Sequence, residues 1–533
     1  MPIDCISFRD TAYASKLICD YVEQHTKLQP LYNCYPTLEN FKRQADAKKV
    51  EFSTEKRTVL VSALSQQYEK SGPSDLTTSI IQSLANQNTF TVTTGHQLNL
   101  LGGPLYFLYK IITTINLAKE LKRNDPKNNF IPIFWMATED HDFEEINHFN
   151  FQNKRFQWSQ ETSGAVGLLD TSGLSDLITV FSNVLGKTVQ AKFLKELLNN
   201  TYTNHSNLAD ATRYLVHALF EGEDLLVIDG NDAALKRLFI PAMATELTTS
   251  NAFKFISQTS EILKLMDNDY KIQVNPRELN LFYLKDNVRE RIVKIDEAYS
   301  VLNTQLSWDL QGILEELNLF PERFSPNVIM RPLFQETILP NLCYIGGGGE
   351  LSYWLQLKTY FDSELLNFPI LLHRNAVLLV SQKQQQKLDK LNLSVAELFK
   401  NKQELIDSQI KKMTVLTIDF SNQKTALKQQ FLALYNMASQ TDKSFLGAVS
   451  AQEKKQIKGL EVLEKRLLKA EKKSHKNYIN RLEQLHSELF PNGNLQERFS
   501  NFSEFHLEHG DDFIERLKKE LVPLDQNFHI FYL

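Results

Sequence analysis

Two apolar runs, at 90–94 and 130–137, flank a segment from 106 to 121 whose apolar positions recur at three- and four-residue spacing. This pattern predicts a β-α-β unit. A second half begins with the continuous apolar run 225–228, followed by a helix with Leu235, Leu238 and Phe239 on one face. Strands are expected again at 328–330, 342–345, 369–372 and 377–380. Upstream, 11–29 and 38–48 have helical spacing broken at Pro30 and Pro36, so 1–89 reads as a helical part packed on the core. Residues 151–210, with Trp158 and short alternating runs, read as an insertion. A second one, 265–322, carries period-two positions Leu279, Leu281 and Tyr283 before the turn Lys285-Asp286-Asn287, which predicts a hairpin.

Beyond the core at 90–380 the composition turns to Lys, Gln, Glu and Leu. Phe420, Leu427, Phe431, Leu434 and Ala438 form one apolar seam, and Leu460, Leu463, Leu467, Ala470 and Ser474 another. They predict an antiparallel helical hairpin over 381–490, its arms joined near 439–452. Pro491-Asn492-Gly493 ends it, and 491–533 is expected to return to the core with a terminal strand. The expected fold class is therefore α/β: a Rossmann-like parallel-sheet core with two insertions, plus a long antiparallel α-helical coiled coil.

A chain of 533 residues, 42% hydrophobic and 23% charged, can bury several cores. Its net charge of −5 gives no footprint for a nucleic-acid backbone. No run approaches the roughly 18 apolar residues of a membrane span, and the N-terminal residues lack the pattern of a signal peptide. The four cysteines, Cys5, Cys19, Cys34 and Cys343, include no CxxC pair. Reduced thiols and a cytoplasmic location are the expectation, with no protein-ligated zinc.

Both strands of the first unit end in polar residues: Thr94-Gly95-His96-Gln97 and Thr138-Glu139-Asp140-His141-Asp142. Ligands of open α/β sheets bind outside the carboxyl ends of the strands, so both clusters should face one crevice. Gly102, Gly103 and Pro104 precede the helix, where free N–H groups and the helix dipole suit a phosphate. Tyr106 and Lys110 follow one turn apart, Lys110 reading either as an anion ligand or as a solvated lysine. If 141–148 is helical, His141, Glu144 or Glu145 and His148 share a face. The spacing is not HExxH, however, and Mg2+ held chiefly by nucleotide phosphates and one carboxylate is the simpler expectation. Asp140 and Asp142 suit an amine or a hydroxyl-rich sugar, and His141 a proton acceptor. Gly346-Gly347-Gly348-Gly349-Glu350 offers close backbone approach but is not a Walker A loop, since no Lys-Ser/Thr follows. Arg331, Gln335 and Glu336 precede it. Arg331 suits a ligand carboxylate, or else a structural ion pair.

TGHQ, GGPLYFLYK, FWMATEDHDFEEINH and SPNVIMRPLFQETILPNLCYIGGGGELSYWLQLK together resemble the signature of the bacillithiol-biosynthesis cysteine-adding enzymes, the BshC family, and the likeness runs along essentially the whole chain. The resemblance implies a core like that of class I aminoacyl-tRNA synthetases and an ATP-dependent ligase that joins cysteine to glucosaminyl-malate through an activated cysteine carboxylate. It also implies a homodimer built through the coiled coil. His96 then stands at the first histidine of a HIGH-type signature, where it would stabilise charge developing on the α-phosphate; capping of the helix is the alternative. Members of the family often carry Gln there, which leaves a general-acid role unassigned. Arg331, Gln335 and Glu336 would meet the malate carboxylates. No KMSKS-like loop occurs at the expected place, and Lys411-Lys412-Met413-Thr414 falls in the helical arm. A non-catalytic nucleotide-binding scaffold and a nucleotidyl- or glycosyl-transferase are the rival readings.

Overall fold

The central sheet has five parallel strands, in the spatial order Ile370–His373, Asn341–Gly346, Thr89–His96, Asn129–Met136, Leu226–Asp229. Numbered along the chain this is 5-4-1-2-3, so the winding reverses between Thr89–His96 and Asn341–Gly346. A crevice opens at that reversal, outside the carboxyl ends of the strands. The computed structural model describes residues 3–69, 72–285 and 287–533, so Asp286 of the predicted hairpin turn lies outside the described residues. Thr89–His96 is buried along nearly its whole length, as a strand covered on both faces must be. Its threonines satisfy their hydroxyls inside the sheet: Thr91 and Thr93 donate to Asn341 Oδ1. Helix Tyr106–Asn124 returns across one face through Leu108, Ile111, Ile112 and Ile115.

The region before the core keeps the helix Leu38–Glu51, but the expected helix at 11–29 is only Lys16–Val22 followed by a 3-10 turn, Thr26–Leu31. Ser15 caps the first, and Pro30 sits in the second, where its missing N–H stops an α-helical ladder. The strand expected at 328–330 is a turn. Asn327 Oδ1 accepts the N–H groups of Ile329 and Met330, which starts helix Arg331–Ile338; the strand lies earlier, at Phe324–Pro326. The strand at 377–380 exists as Ala376–Val380 but leaves the central sheet. It pairs with Phe528–Tyr532, which in turn pairs with Ile3–Ile6, a strand that the sequence pattern missed.

Residues 265–322 contribute an antiparallel sheet built on the hairpin Leu281–Lys285 and Val288–Ile295. The insertion expected at 151–210 starts earlier, with the hairpin His148–Phe151 and Lys154–Gln157; Phe149 and Phe156 pack on Phe181 of helix Ser175–Leu185, and helix Val189–Thr203 follows. The coiled coil is formed by Ser421–Ala438 and Lys443–Ser474, which turn at 439–442, closer than the predicted 439–452. Lys424 pairs with Glu464 and Tyr435 with Glu453, partners that draw together in sequence towards the turn, which makes the arms antiparallel. Their shared core is small: Phe431, Ala438 and Val449, with Leu427 and Leu434 half-buried. Leu463, expected in the seam, is 52% exposed, because a single partner helix covers only one stripe of a long arm.

Candidate active site

A cleft of about 680 Å³ opens at the reversal point of the sheet. Gly95, His96 and Gln97 line it from the first strand, Asp140 and His141 from the second, and Gly347, Gly349 and Glu350 from the loop after Asn341–Gly346. Tyr106, Lys110, Arg331 and Gln335 complete that wall. The three polar clusters read from the sequence therefore share one space.

One side of the cleft is a closed ionic strut. Lys110 Nζ lies 2.6 Å from Glu350 Oε2 and donates to the Gly95 carbonyl at 2.7 Å. Glu350 also accepts from Tyr344 Oη at 2.6 Å and from the Gly347 N–H at 2.9 Å. Burial pushes the Glu350 carboxyl up, but Lys110, Tyr344 and the Gly347 N–H outweigh it and hold the carboxyl below its usual value. Burial also lowers Lys110. Lys110 is buried and Glu350 half-buried, and a pair whose hydrogen bonds are filled in this way holds geometry and offers little to a ligand. Lys110 and Glu350 thus brace the glycine loop against the first strand, and the reading of Lys110 as an anion ligand gives way to this one.

His96 is buried, edge-on to Tyr106 with ring centroids 5.3 Å apart and beside Phe107 at 5.7 Å. Burial, helped by the charges of Lys110 and Arg374, keeps its imidazole well below the ordinary value and hence neutral. Its Nε2 is a buried nitrogen with no hydrogen-bond partner among the described residues. Such an atom is costly unless something else fills it, and the cleft is what it borders.

Opposite, Gln97 Nε2 donates to Glu145 Oε2 at 2.5 Å and to Asp140 Oδ2 at 3.4 Å. The His141 N–H fixes Asp140 Oδ1 at 2.8 Å. Burial would raise Asp140, but Arg331 and Arg289 hold it below the usual carboxylate value. Arg289 Nη1 lies 2.6 Å from His141 Nδ1. A guanidinium can only donate, so that lone pair of His141 is occupied, which removes it as a free proton acceptor at Nδ1. Gln335 is held from behind: its Nε2 donates to buried Glu336 Oε1 at 2.9 Å, while Glu336 faces Lys48 and Asn341 rather than the cleft.

Several other sequence candidates lie outside the cleft. Thr94 donates its hydroxyl to the Ile345 carbonyl and ties two strands. Glu139 is buried against Lys236 at 2.5 Å. Asp142 caps the short helix Phe143–Ile146; the expected helix at 141–148 does not form, and His148 begins the next strand, so the imagined metal face is not assembled. Gly103, at φ +67°, serves a tight turn in which an added Cβ would meet Asn99 Cβ at 2.8 Å. Gly346 closes its strand under Tyr344 and Glu350, and Gly348 faces a smaller neighbouring cavity of about 170 Å³.

The sequence reading missed most of the positive charge. Arg277, Arg289, Arg291, Arg374 and Arg498 join Arg331 in lining the cleft, against the carboxylates Asp140, Glu145 and Glu350. Arg374 is spent on Glu497, at 2.9 and 2.7 Å. No hydrogen bond or ion pair from the side chains of Arg277, Arg291, Arg331 or Arg498 occurs among the described residues. Arg289 and Arg291 stand two apart on one strand and so on one face, a signal legible in NVRERIVKI.

Against known families, residues 1–375 match the description "Bacillithiol biosynthesis BshC, N-terminal Rossmann-like domain", and 377–533 match "Bacillithiol biosynthesis BshC, C-terminal coiled-coil domain". This chain belongs to the BshC family. A Flavobacterium johnsoniae relative is 53% identical over 99% of both chains, and one from Cytophaga hutchinsonii is 36% identical over 99% of this chain and 98% of its own. A Bacillus mycoides relative is 26% identical over 97% of this chain and 98% of its own. All three carry the name "Putative cysteine ligase BshC". The BshC architecture of a Rossmann-like core and a coiled coil is thus present across the whole chain, and among the described residues no helix is long and apolar enough to cross a membrane.

Proposed function

We propose that this chain is a cytoplasmic ligase that joins the carboxyl group of cysteine to the amine of glucosaminyl-malate at the expense of ATP, completing bacillithiol. The observation that carries the reading is the cleft itself: guanidinium groups without protein carboxylates, set around Asp140 and the orphaned Nε2 of His96 at the reversal of the sheet. Both partners fit that chemistry. A malyl group brings two carboxylates, and a nucleotide brings a polyphosphate; each is an anion suited to an arginine fork. Arg331 and Arg289, beside ionised Asp140, take the malyl carboxylates, and Asp140 attracts the glucosaminyl amine. His96 Nε2 serves the phosphate or the carboxylate under activation, as a neutral donor whose charge does not change with the reaction. Where the nucleotide brings Mg2+, Asp140 and Glu145 are the carboxylates at hand, both reached by Gln97.

Incubation of the purified chain with cysteine, glucosaminyl-malate and ATP is expected to give bacillithiol by mass spectrometry, with one nucleotide product per turnover. AMP with pyrophosphate would indicate an adenylate, and ADP with phosphate an acyl phosphate. Nucleotide binding without any product would favour a scaffold, and transfer of a nucleotidyl or glycosyl group would favour the transferase reading.

The same proposal includes a homodimer through the coiled coil. Leu432, Met437, Phe445 and Leu463 are 61, 58, 47 and 52% exposed on its arms, more apolar surface than a solitary hairpin leaves wet without cost. A two-fold mate is the commonest closed arrangement that covers such surface. Sedimentation should show a dimer for the full chain and a monomer when 415–470, whose flanking residues Thr414 and Glu471 meet at 2.7 Å, is replaced by a short linker. A dimer that survives the replacement would place the contact elsewhere.

A further inference from the structure

The two ends of the chain meet in the three-stranded sheet, where Cys5 stands directly across from His529. Cys5 Sγ lies 3.5 Å from His529 Nδ1, and the other ring nitrogen, Nε2, lies 3.9 Å from Asp525 Oδ2. One ligand atom from each of the three residues falls within 4.8 Å of the others. His529 is only 3% exposed, and its Nε2 has no hydrogen-bond partner among the described residues. A thiol, an imidazole and a carboxylate thus converge outside the lining of the ligation cleft, and nothing in the ligation chemistry uses them.

We propose that Cys5, His529 and Asp525 form a binding site for a borderline-soft divalent transition ion, with Zn2+ as its type. In a tetrahedral site, Zn–S of about 2.3 Å and Zn–N of about 2.0 Å set sulfur and nitrogen about 3.5 Å apart. That is the separation already present between Cys5 Sγ and His529 Nδ1. With Nδ1 on the metal, Nε2 turns towards Asp525, which either supplies the third ligand or orients the ring. Cys5 is exposed, so water can fill the remaining position. The carboxylate of Asp525 adds negative charge that favours a cation. On binding, the thiol proton leaves to solvent and the thiolate bonds to the metal, with no change in oxidation state. The second cluster of this kind, Asp20, Glu23 and His25, is a different case, because Arg9 and Lys27 already neutralise it at 2.8 and 3.1 Å. The proposed ion would clasp the first strand to the last.

Titrating the untagged, metal-free full chain with Co2+ tests this. One equivalent should produce the thiolate-to-cobalt charge-transfer band, Zn2+ should displace it, and saturating Zn2+ should raise the thermal midpoint, since the site exists only in the folded chain. Cys5→Ser should abolish the band while leaving the metal-free midpoint at the wild-type value, because Cys5 is at the surface. His529→Gln should also abolish the band, and Asp525→Asn should weaken affinity about 10–100-fold. Absence of the band would overturn the proposal. So would a full band in Cys5→Ser, which would assign the thiolate to Cys34, or an affinity unmoved by Asp525→Asn.

Discussion

Arg331→Met should raise KM for glucosaminyl-malate by about 10–100-fold with a smaller effect on KM for cysteine, because a charge-assisted hydrogen bond contributes roughly 1.5–3 kcal/mol and each 1.4 kcal/mol is tenfold. The side chain lines the cleft at the start of helix Arg331–Ile338 and has no carboxylate partner at bonding distance among the described residues. Its charge acts on Asp140 and against Arg289, whose own guanidinium is lowered to about 10 by burial and by Arg331. Removing one of two mutually repelling cations should leave the thermal midpoint nearly unchanged. Adding Arg289→Met should abolish saturation by the substrate. It should also cost some stability, since Arg289 stacks over Phe282 at 4.0 Å. Steady-state kinetics with each substrate varied in turn, beside thermal melts, separates the outcomes. An unchanged KM for Arg331→Met with a lower melting point would make Arg331 a structural partner of Asp140 and remove it from the substrate site.

His96→Ala should lower kcat by about 10²–10³, the usual effect of deleting one preorganised donor at a reacting centre. The ring is packed against Tyr106 and Phe107, so truncation should also cost about 1–3 kcal/mol of stability, and His96→Asn is the better-packed companion. A loss of activity no greater than the loss of folded protein in both variants would make His96 a packing residue. The pH dependence gives an independent readout. The unfolded imidazole titrates near its ordinary value while the native one stays neutral well below it. The unfolded chain therefore binds the extra proton first, and stability supplied by His96 above about pH 6.5 is lost as pH falls towards the native value. The wild-type thermal midpoint should drop more steeply between pH 7 and 5 than that of His96→Asn, while wild-type kcat should show no titration of His96 in that window.

Much of the core was legible because local rules and the fold agree. The strands after Asn88 and Asn128, the helix from Tyr106 and the glycine loop after Gly346 follow from apolar runs that end in polar clusters, and a doubly wound sheet sends all such ends to one edge. Membership of the BshC family was equally legible, since four motif segments carry it. Where the sequence reading failed, a distant partner decided. Ile3–Ile6 is too short to announce itself and forms because Phe528–Tyr532 lies alongside it. The 328–330 run is apolar enough for a strand but yields to the Asn327 side chain, which captures its N–H groups.

The composition of the site divides in the same way. His96, Asp140 and the glycine loop were placed by the sequence alone, because each sits at the end of a pattern. Whether a charge there faces a ligand or another residue was not in the sequence at all. Lys110 and Glu139 look as available on paper as Arg331, yet Glu350 and Lys236 neutralise them, and Arg289 and Arg498 arrive from an insertion and from the last tenth of the chain. A strand or helix is specified by neighbours within a few positions, so periodicity reveals it. Pairing of buried charges is set by which side chains the tertiary fold brings within a few ångströms, and that proximity has no local signature.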